Sequence, residues 1–123
     1  MSKLTVVDRT TSPPRLDIPR DYNAASDFVD RHLDEGRGDK VAFIDDHGSL
    51  RYRDVADRVN RAGNALRSLG VHMEQRVLLL LHDSATFPVL FFGAIKIGAV
   101  PVPVNTLLTA DDYDYLLRDT RAV

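Results

Sequence analysis

The chain has 123 residues, 44% hydrophobic and 28% charged, with a formal net charge of −2. This is the make-up of one globular domain with its own core, and so weak a charge leaves no electrostatic footprint for nucleic acid or an anionic membrane. Cysteine is absent, which excludes disulfides, thiol catalysis and thiolate metal sites and fits a reducing, cytoplasmic setting.

Residues 1–22 predict an extended, loosely held arm, because Pro13, Pro14 and Pro19 interrupt a polar, mixed-charge stretch. The arm has no apolar core segment, so no signal peptide is legible in it. Residues 23–123 predict the folded domain. Asn23 is placed to cap a helix starting at Ala24, with Ala25, Phe28, Val29, His32 and Leu33 on one stripe and Gly36 as its stop. Val41–Asp45 and Ser49–Tyr52 flank the turn signal Asp45-Asp46-His47-Gly48 and predict a β-hairpin. Arg53–Leu69 predicts a long amphipathic helix through Val55, Val59, Ala62, Leu66 and Leu69. Gly70 closes it, and Val71 folds back on Leu66.

The unbroken apolar run Val77–Leu81 predicts a strand covered on both faces, as in a parallel sheet. The next helix is apolar nearly all round, from Val89 through Leu90, Phe91, Phe92, Ala94 and Ile95 to Ile97, and so is expected to be buried on most sides. Ser84 is its expected N-cap. Gly98 is the expected C-terminal stop, and Gly93 a packing glycine. Val100–Val104 then completes a strand–helix–strand unit. Pro101 and Pro103 lack donors on the same side of that strand, so that side is expected at an edge. Reading Phe87–Val104 as a membrane span instead would have to accommodate Lys96, Pro88, Pro101 and Pro103, and would leave two strand signals unexplained. Thr109 with Asp112 predicts a capping box for a last helix, Ala110 to about Asp119, with Tyr113, Leu116 and Leu117 facing inward. In a repeating βα pattern the next strand is due at Arg121–Val123. The fold class is therefore α/β: a β-hairpin and helices followed by part of a parallel sheet.

Chemistry-bearing clusters are sparse. His32, His47, His72 and His82 include no pair at helical metal spacing. His82-Asp83-Ser84 falls at the carboxyl end of a parallel strand, where ligands of open α/β sheets bind, but consecutive residues cannot form a triad, and helix capping explains them more simply. Asp111, Asp112 and Asp114 complement a helix N-terminus, and Asp45-Asp46-His47-Gly48 lacks the alternating ligands and terminal glutamate of a calcium loop. No glycine-rich phosphate loop or nucleophile elbow occurs. The residues alone therefore name no catalytic group and no metal ligand, and leave cofactor contacts unassigned.

The order VAFIDDHGSLRY, RDVADRVNRAGNALRSLGV, RVLLLLHDS, FPVLFFGAIKIGAV, PVPVN and LLTADDYDYLLRDT resembles the N-terminal portion of adenylate-forming enzymes, which include the acyl-CoA synthetases. GAIKIGAVPVPVNTLLTADD is the most specific block, and the opening NAASDFVDRHLDEGRGDKVAFIDD is similar to benzoate-CoA ligases. The likeness runs from Asp21 onward. It implies a longer parent that adenylates a small aromatic carboxylate with ATP and Mg, then passes the acyl group to coenzyme A in aromatic acid degradation. It also implies that the family's phosphate loop, Tyr-Gly-x-Thr-Glu segment and catalytic lysine lie beyond Val123. This stretch is then scaffold, binding no cofactor alone, inactive alone and prone to self-association. Its implied partners are the remainder of the ligase polypeptide and the aryl acid, with no nucleic acid or membrane. Some relatives carry a basic residue near the nucleotide end of coenzyme A in the loop after the PVPVN strand. Here that loop reads Asn105-Thr106-Leu107-Leu108, which argues against such a contact. A self-contained α/β interaction module without catalysis is the alternative reading.

Overall fold

A computed structural model describes residues 4–123; Met1–Lys3, the start of the arm, lie outside the described residues. The elements run β1 (Val6–Asp8), β2 (Arg15–Asp17), α1, β3 (Val41–Asp45), β4 (Gly48–Arg51), α2 (Tyr52–Ser68), β5 (Arg76–Leu79), α3 (Thr86–Lys96), β6 (Val100–Pro103) and α4 (Ala110–Thr120). Helix α1 joins a π-helical segment, Ser26–Asp30, to an α-helical turn, Arg31–Asp34. The strands pair two by two, β1–β2 and β3–β4 antiparallel and β5–β6 parallel. The expected α/β order of hairpin, helices and a piece of parallel sheet is what forms.

Short-range signals set most of the boundaries. The Asn23 carboxamide oxygen accepts from the Ala25 N–H at 3.0 Å and opens α1. Helices α2 and α3 end in the same way. Gly70 and Gly98 take positive φ, and the N–H groups of Val71 and Ala99 reach back to the carbonyls of Leu66 and Ala94 at 3.0 Å each. These are the two-bond Schellman closures that glycine permits at low cost. Leu66 packs on Val71 as expected, but Leu69 is 81% exposed, because the chain has already left the helical stripe at that position. At α4 the box forms in both directions: Asp112 N–H donates to Thr109 Oγ1, and Thr109 N–H donates to the Asp112 carboxylate at 3.0 Å. Tyr113 and Leu116 are half-buried there while Leu117 is 50% exposed, since little of this chain packs on α4.

The main tertiary contact is the crossing of α2 and α3. A Cβ placed on Gly93 would lie 2.8 Å from the Ala62 Cβ, and one on Gly63 would lie 3.0 Å from Ile97 Cγ2, so both glycines exist to let the helices touch. On one side of the crossing Val29, Val55, Ala56 and Val59 form a core with Phe43, Leu50 and Phe92 packed against it. On the other, Val71, Ala94 and Ala99 gather Leu66, Val77 and Ile97.

Two burial expectations are corrected. Helix α3 buries Val89, Gly93 and Ala94, but Leu90, Phe91, Phe92 and Ile95 are only half-buried. The helix contacts α2 on one side and the β5–β6 pair on another, which leaves an apolar sector facing no described element. For the same reason β5 is not covered on both faces: Leu79 is buried against α3, while Leu80 is 48% exposed.

The edge expectation for β6 holds. Val100 and Val104 donate to the carbonyls of Gln75 and Leu79 in and beside β5, and among the described residues the proline side of β6 pairs with nothing. The Arg76 carbonyl, which points away from β6, accepts from the Val123 N–H at 3.0 Å, so the chain returns to the open edge of β5 where the βα pattern calls for a strand.

The arm is extended but held. β1 and β2 pair from Val6 opposite Asp17 to Asp8 opposite Arg15, and Thr5, Tyr22 and Arg31 all hydrogen-bond the Asp27 carboxylate. Burial alone would raise the pKa of Asp27; the bonds from Thr5, Arg31 and Tyr22 outweigh it and hold the group at about 2, below its ordinary 3.8. A depressed carboxylate pKa stabilises the fold above the unfolded value, and that stability is lost as pH falls through the folded one. Thermal melts should therefore fall between about pH 4 and about pH 2 by roughly 1 kcal/mol, a figure reduced for screening because Arg31 is a third exposed. Asp27→Asn should lower the melting temperature at neutral pH and flatten that acid limb.

Candidate functional site

The carboxyl ends of β5 and β6 open side by side. The chain leaves β5 through Leu80 and Leu81 into His82, Asp83 and Ser84, and leaves β6 through Val104 into Asn105 and Thr106. A cavity of about 260 Å³ lies between them, lined by His82, Asp83, Phe87, Asn105 and Thr106. A second cleft, of about 460 Å³, separates the β3–β4 turn from the start of α3; Phe43, Ile44 and Phe87 form its apolar wall, and Asp46 and Asp83 its acidic one.

Ser84 is not the cap of α3. The capping position belongs to Ala85, whose N–H donates to Asp45 Oδ2 at 2.9 Å across forty residues of sequence, while Ser84 contributes only its carbonyl, which accepts from Phe87 N–H at 3.0 Å. The other Asp45 oxygen accepts from His47 N–H at 2.9 Å, so one carboxylate closes the hairpin turn and caps α3 at once. The Ala85 and His47 amides hold its pKa below the ordinary carboxylate value. Sequence reading assigned Asp45 to the turn and missed its second role. The only trace was indirect, in that a helix starting on alanine must find a cap elsewhere.

Tyr113 is the other group whose role went unread. Its hydroxyl donates to the Asn105 carbonyl at 2.8 Å and accepts from Leu108 N–H at 3.2 Å, tying the loop after β6 to α4. A tyrosine predicted to face inward needs such a partner for its hydroxyl, and that was the available signal.

The remaining candidates are dispersed. His82 and Asp83 are exposed, with no side-chain hydrogen bond to a described residue. His32 stacks on Tyr52 in α2, His47 sits in the hairpin turn, and His72 lies in the link from α2 to β5. Asp112 is used in the capping box and Asp114 pairs with Arg118 at 3.0 Å. Among the described residues no three His, Asp or Glu side chains converge as metal ligands.

The profile of the AMP-binding enzyme family matches residues 29–123. The chain belongs to that family. Benzoate–CoA ligase of Thauera aromatica is 50% identical over 123 residues, covering 99% of this chain and 23% of the relative. The 4-hydroxybenzoate–CoA/benzoate–CoA ligase of Rhodopseudomonas palustris is 57% identical over 103 residues, 84% of this chain and 19% of the relative. The crystal structure of a benzoate CoA ligase from Burkholderia xenovorans LB400 superposes with a TM-score of 0.77 at 46% identity, covering 82% of this chain and 20% of that one. The chain thus spans about a fifth of the length of the relatives it matches.

At the ends of β5 and β6 the donors suited to the phosphates of a nucleotide are few. The N-terminus of α3, the natural anion site next to the strand ends, already has Ala85 N–H bound to Asp45 and Phe87 N–H bound to Ser84, and Pro88 has no N–H to give. The cavity walls carry Asp83 and His82 but no lysine or arginine. No adenylation step is derived through these residues.

The Asp45 clamp is testable by itself. Asp45→Ala should lower the melting temperature, through the lost cap, and speed amide exchange at Ala85. Asp46→Ala, one residue along the same turn, should leave both unchanged; equal losses would mean the turn, not the cap, was damaged.

Proposed function

We propose that residues 1–123 are the N-terminal part of an ATP-dependent aryl-acid–CoA ligase, with residues 1–22 as its arm and 23–123 as a portion of its large N-terminal domain. The single observation that carries this reading is the identity of 50–57% to benzoate-type ligases across 84–99% of the chain. In the proposed reaction the carboxylate of a benzoate-type acid attacks the α-phosphorus of Mg-ATP, and pyrophosphate leaves. The thiol of coenzyme A then attacks the acyl carbon, and AMP leaves. The setting is cytoplasmic degradation of aromatic acids; both cosubstrates are intracellular, and no helix of the described residues is long and apolar enough to cross a membrane.

The part played by this stretch is structural. It supplies a strand pair open on its β5 side beyond the one Val123 bond and, among the described residues, unpaired on its β6 side, a helix with half-buried apolar side chains and two loops at the strand ends, and in the proposed ligase the rest of the polypeptide covers the first two. Stabilising charge on a transferring phosphoryl region takes a phosphate-cradling loop, a metal and a cation, and none is assigned to these residues. Residues 1–123 alone should therefore give no benzoate-dependent ATP–pyrophosphate exchange. The full-length protein should give that exchange and form benzoyl-CoA, in preference to an aliphatic acyl-CoA. Exchange by the short chain would overturn the scaffold role; a full-length preference for the aliphatic acid would overturn the aryl assignment and leave the family standing.

A further inference from the structure

At the start of α2 the Asp54 carboxylate accepts from the Arg51 N–H at 3.0 Å, and the first two amides of the helix are satisfied from outside. Tyr52 N–H donates to the Lys40 carbonyl at 3.0 Å and Arg53 N–H to the Gly38 carbonyl at 3.1 Å. The loop of residues 35–40, between α1 and β3, is therefore the N-terminal cap of α2. Backbone bonds from Gly36 and Arg37 N–H to the Leu33 and His32 carbonyls, at 3.0 and 2.7 Å, join that loop to α1, Asp39 pairs with Arg51 and Arg53 at the start of α2, and one histidine side chain adds a tie of its own. Arg37 Nε donates to His32 Nδ1 at 2.9 Å, and the His32 ring lies stacked on Tyr52, the first residue of α2, with centroids 3.8 Å apart and planes at 17°. The imidazole thus touches both the loop and the helix that the loop caps.

A nitrogen that accepts a hydrogen bond carries no proton. The Arg37–His32 bond therefore exists only while the imidazole is neutral, with its proton on Nε2. Protonation converts Nδ1 to a donor aimed at a guanidinium that has nothing to accept with. It also adds positive charge to a neighbourhood that already holds Arg31, Arg37 and Lys40, where Glu35 pairs with Arg31 and Arg37 and Asp27 pairs with Arg31. Tyr52, from α2, is the remaining titratable group against the ring.

We propose that His32 is a proton-sensitive latch: neutral, it holds the Arg37 side chain and steadies the 35–40 loop over the start of α2; protonated, it drops Arg37 and leaves the loop on its backbone and Asp39 ties, more loosely held. Burial first, and the Arg37 charge second, push the His32 pKa below its ordinary 6.5. A histidine whose folded pKa is lowered binds more protons unfolded, so the latch contributes fully above the ordinary value and is lost as pH falls from there through the folded one. His47, His72 and His82 make no comparable side-chain contact among the described residues, so they serve as internal controls.

Hydrogen–deuterium exchange of the intact protein, corrected for the intrinsic pH dependence of exchange, tests this at about pH 5 and about pH 7.5, either side of the ordinary imidazole pKa of about 6.5. In the wild type the peptide spanning 35–40 and the first amides of α2 should exchange about fivefold faster at the acid pH, the worth of one net hydrogen bond. His32→Gln offers a carboxamide oxygen to Arg37 but does not titrate, so it should show the same protection at both pH values. A wild type with no difference there overturns the proposal, and so does a His32→Gln variant that keeps the wild-type difference. If His32→Gln loosens the loop at both pH values, His32→Asn supplies a second acceptor that does not titrate; persistence of the acid difference in it overturns the latch equally.

Discussion

Two glycines facing each other decide how this chain is built. Gly63 and Gly93 allow α2 and α3 to meet at backbone distance, and α1, the β3–β4 hairpin, β5 and β6 all contact one of those helices. Helix α2 carries α1 and the β3–β4 hairpin on one flank, through Val29, Val55, Val59 and Leu50. Helix α3 carries β5 and β6 on the other, through Ala94, Ala99 and Val77. Interiors pack too densely to absorb a methyl group at such a crossing without moving a helix, and moving α3 would move both strand ends with it. Burial of small side chains at close range is thus what relates the hairpin half to the sheet half, with the Lys96–Asp30 ion pair and the Asn23 bond to the Ile95 carbonyl as lateral ties.

On that frame the site is assembled by hydrogen bonds between elements, one of them across forty residues of sequence. Asp45 reaches from the hairpin turn to the first amide of α3, and Tyr113 reaches from α4 to the loop after β6. Both fix loops at the carboxyl ends of parallel strands, the place where open α/β sheets hold ligands. What these residues lack is charge suited to a nucleotide: the free donors of α3 are largely taken, and the nearest side chains are a carboxylate and an imidazole.

Much of this was legible in the sequence because it is local chemistry. The turn at Asp45–Gly48, the glycine closures after Leu69 and Ile97, the Thr109–Asp112 box and the alternate prolines of β6 each depend on residues a few positions apart, and each forms. The family was legible for another reason: the block from Gly93 to Asp112 has a composition that no periodicity rule would generate. What failed was what depends on the surroundings. The burial of α3 and of Val77–Leu81 was inferred from apolar composition, which states what a segment would bury if something covered it, and the covering element is not among these residues. Ser84 looked like a cap because capping is usually local. Asp45, forty positions away, took the role because the hairpin turn packs against the start of α3.

The measurement closest to the centre of this account is a double-mutant cycle across the helix crossing. Gly93→Ala places a Cβ 2.8 Å from that of Ala62, so denaturant unfolding should show a loss of about 1–3 kcal/mol despite the better helix propensity of alanine. In an Ala62→Gly background that clash is gone, and the same substitution should cost far less, giving a coupling of about 1 kcal/mol or more. No cost in either background, although a Cβ on Gly93 also comes within 3.2 Å of the Gly63 nitrogen and the Val59 carbonyl oxygen, would mean that α2 and α3 do not meet at these glycines and that the two halves are related in some other way.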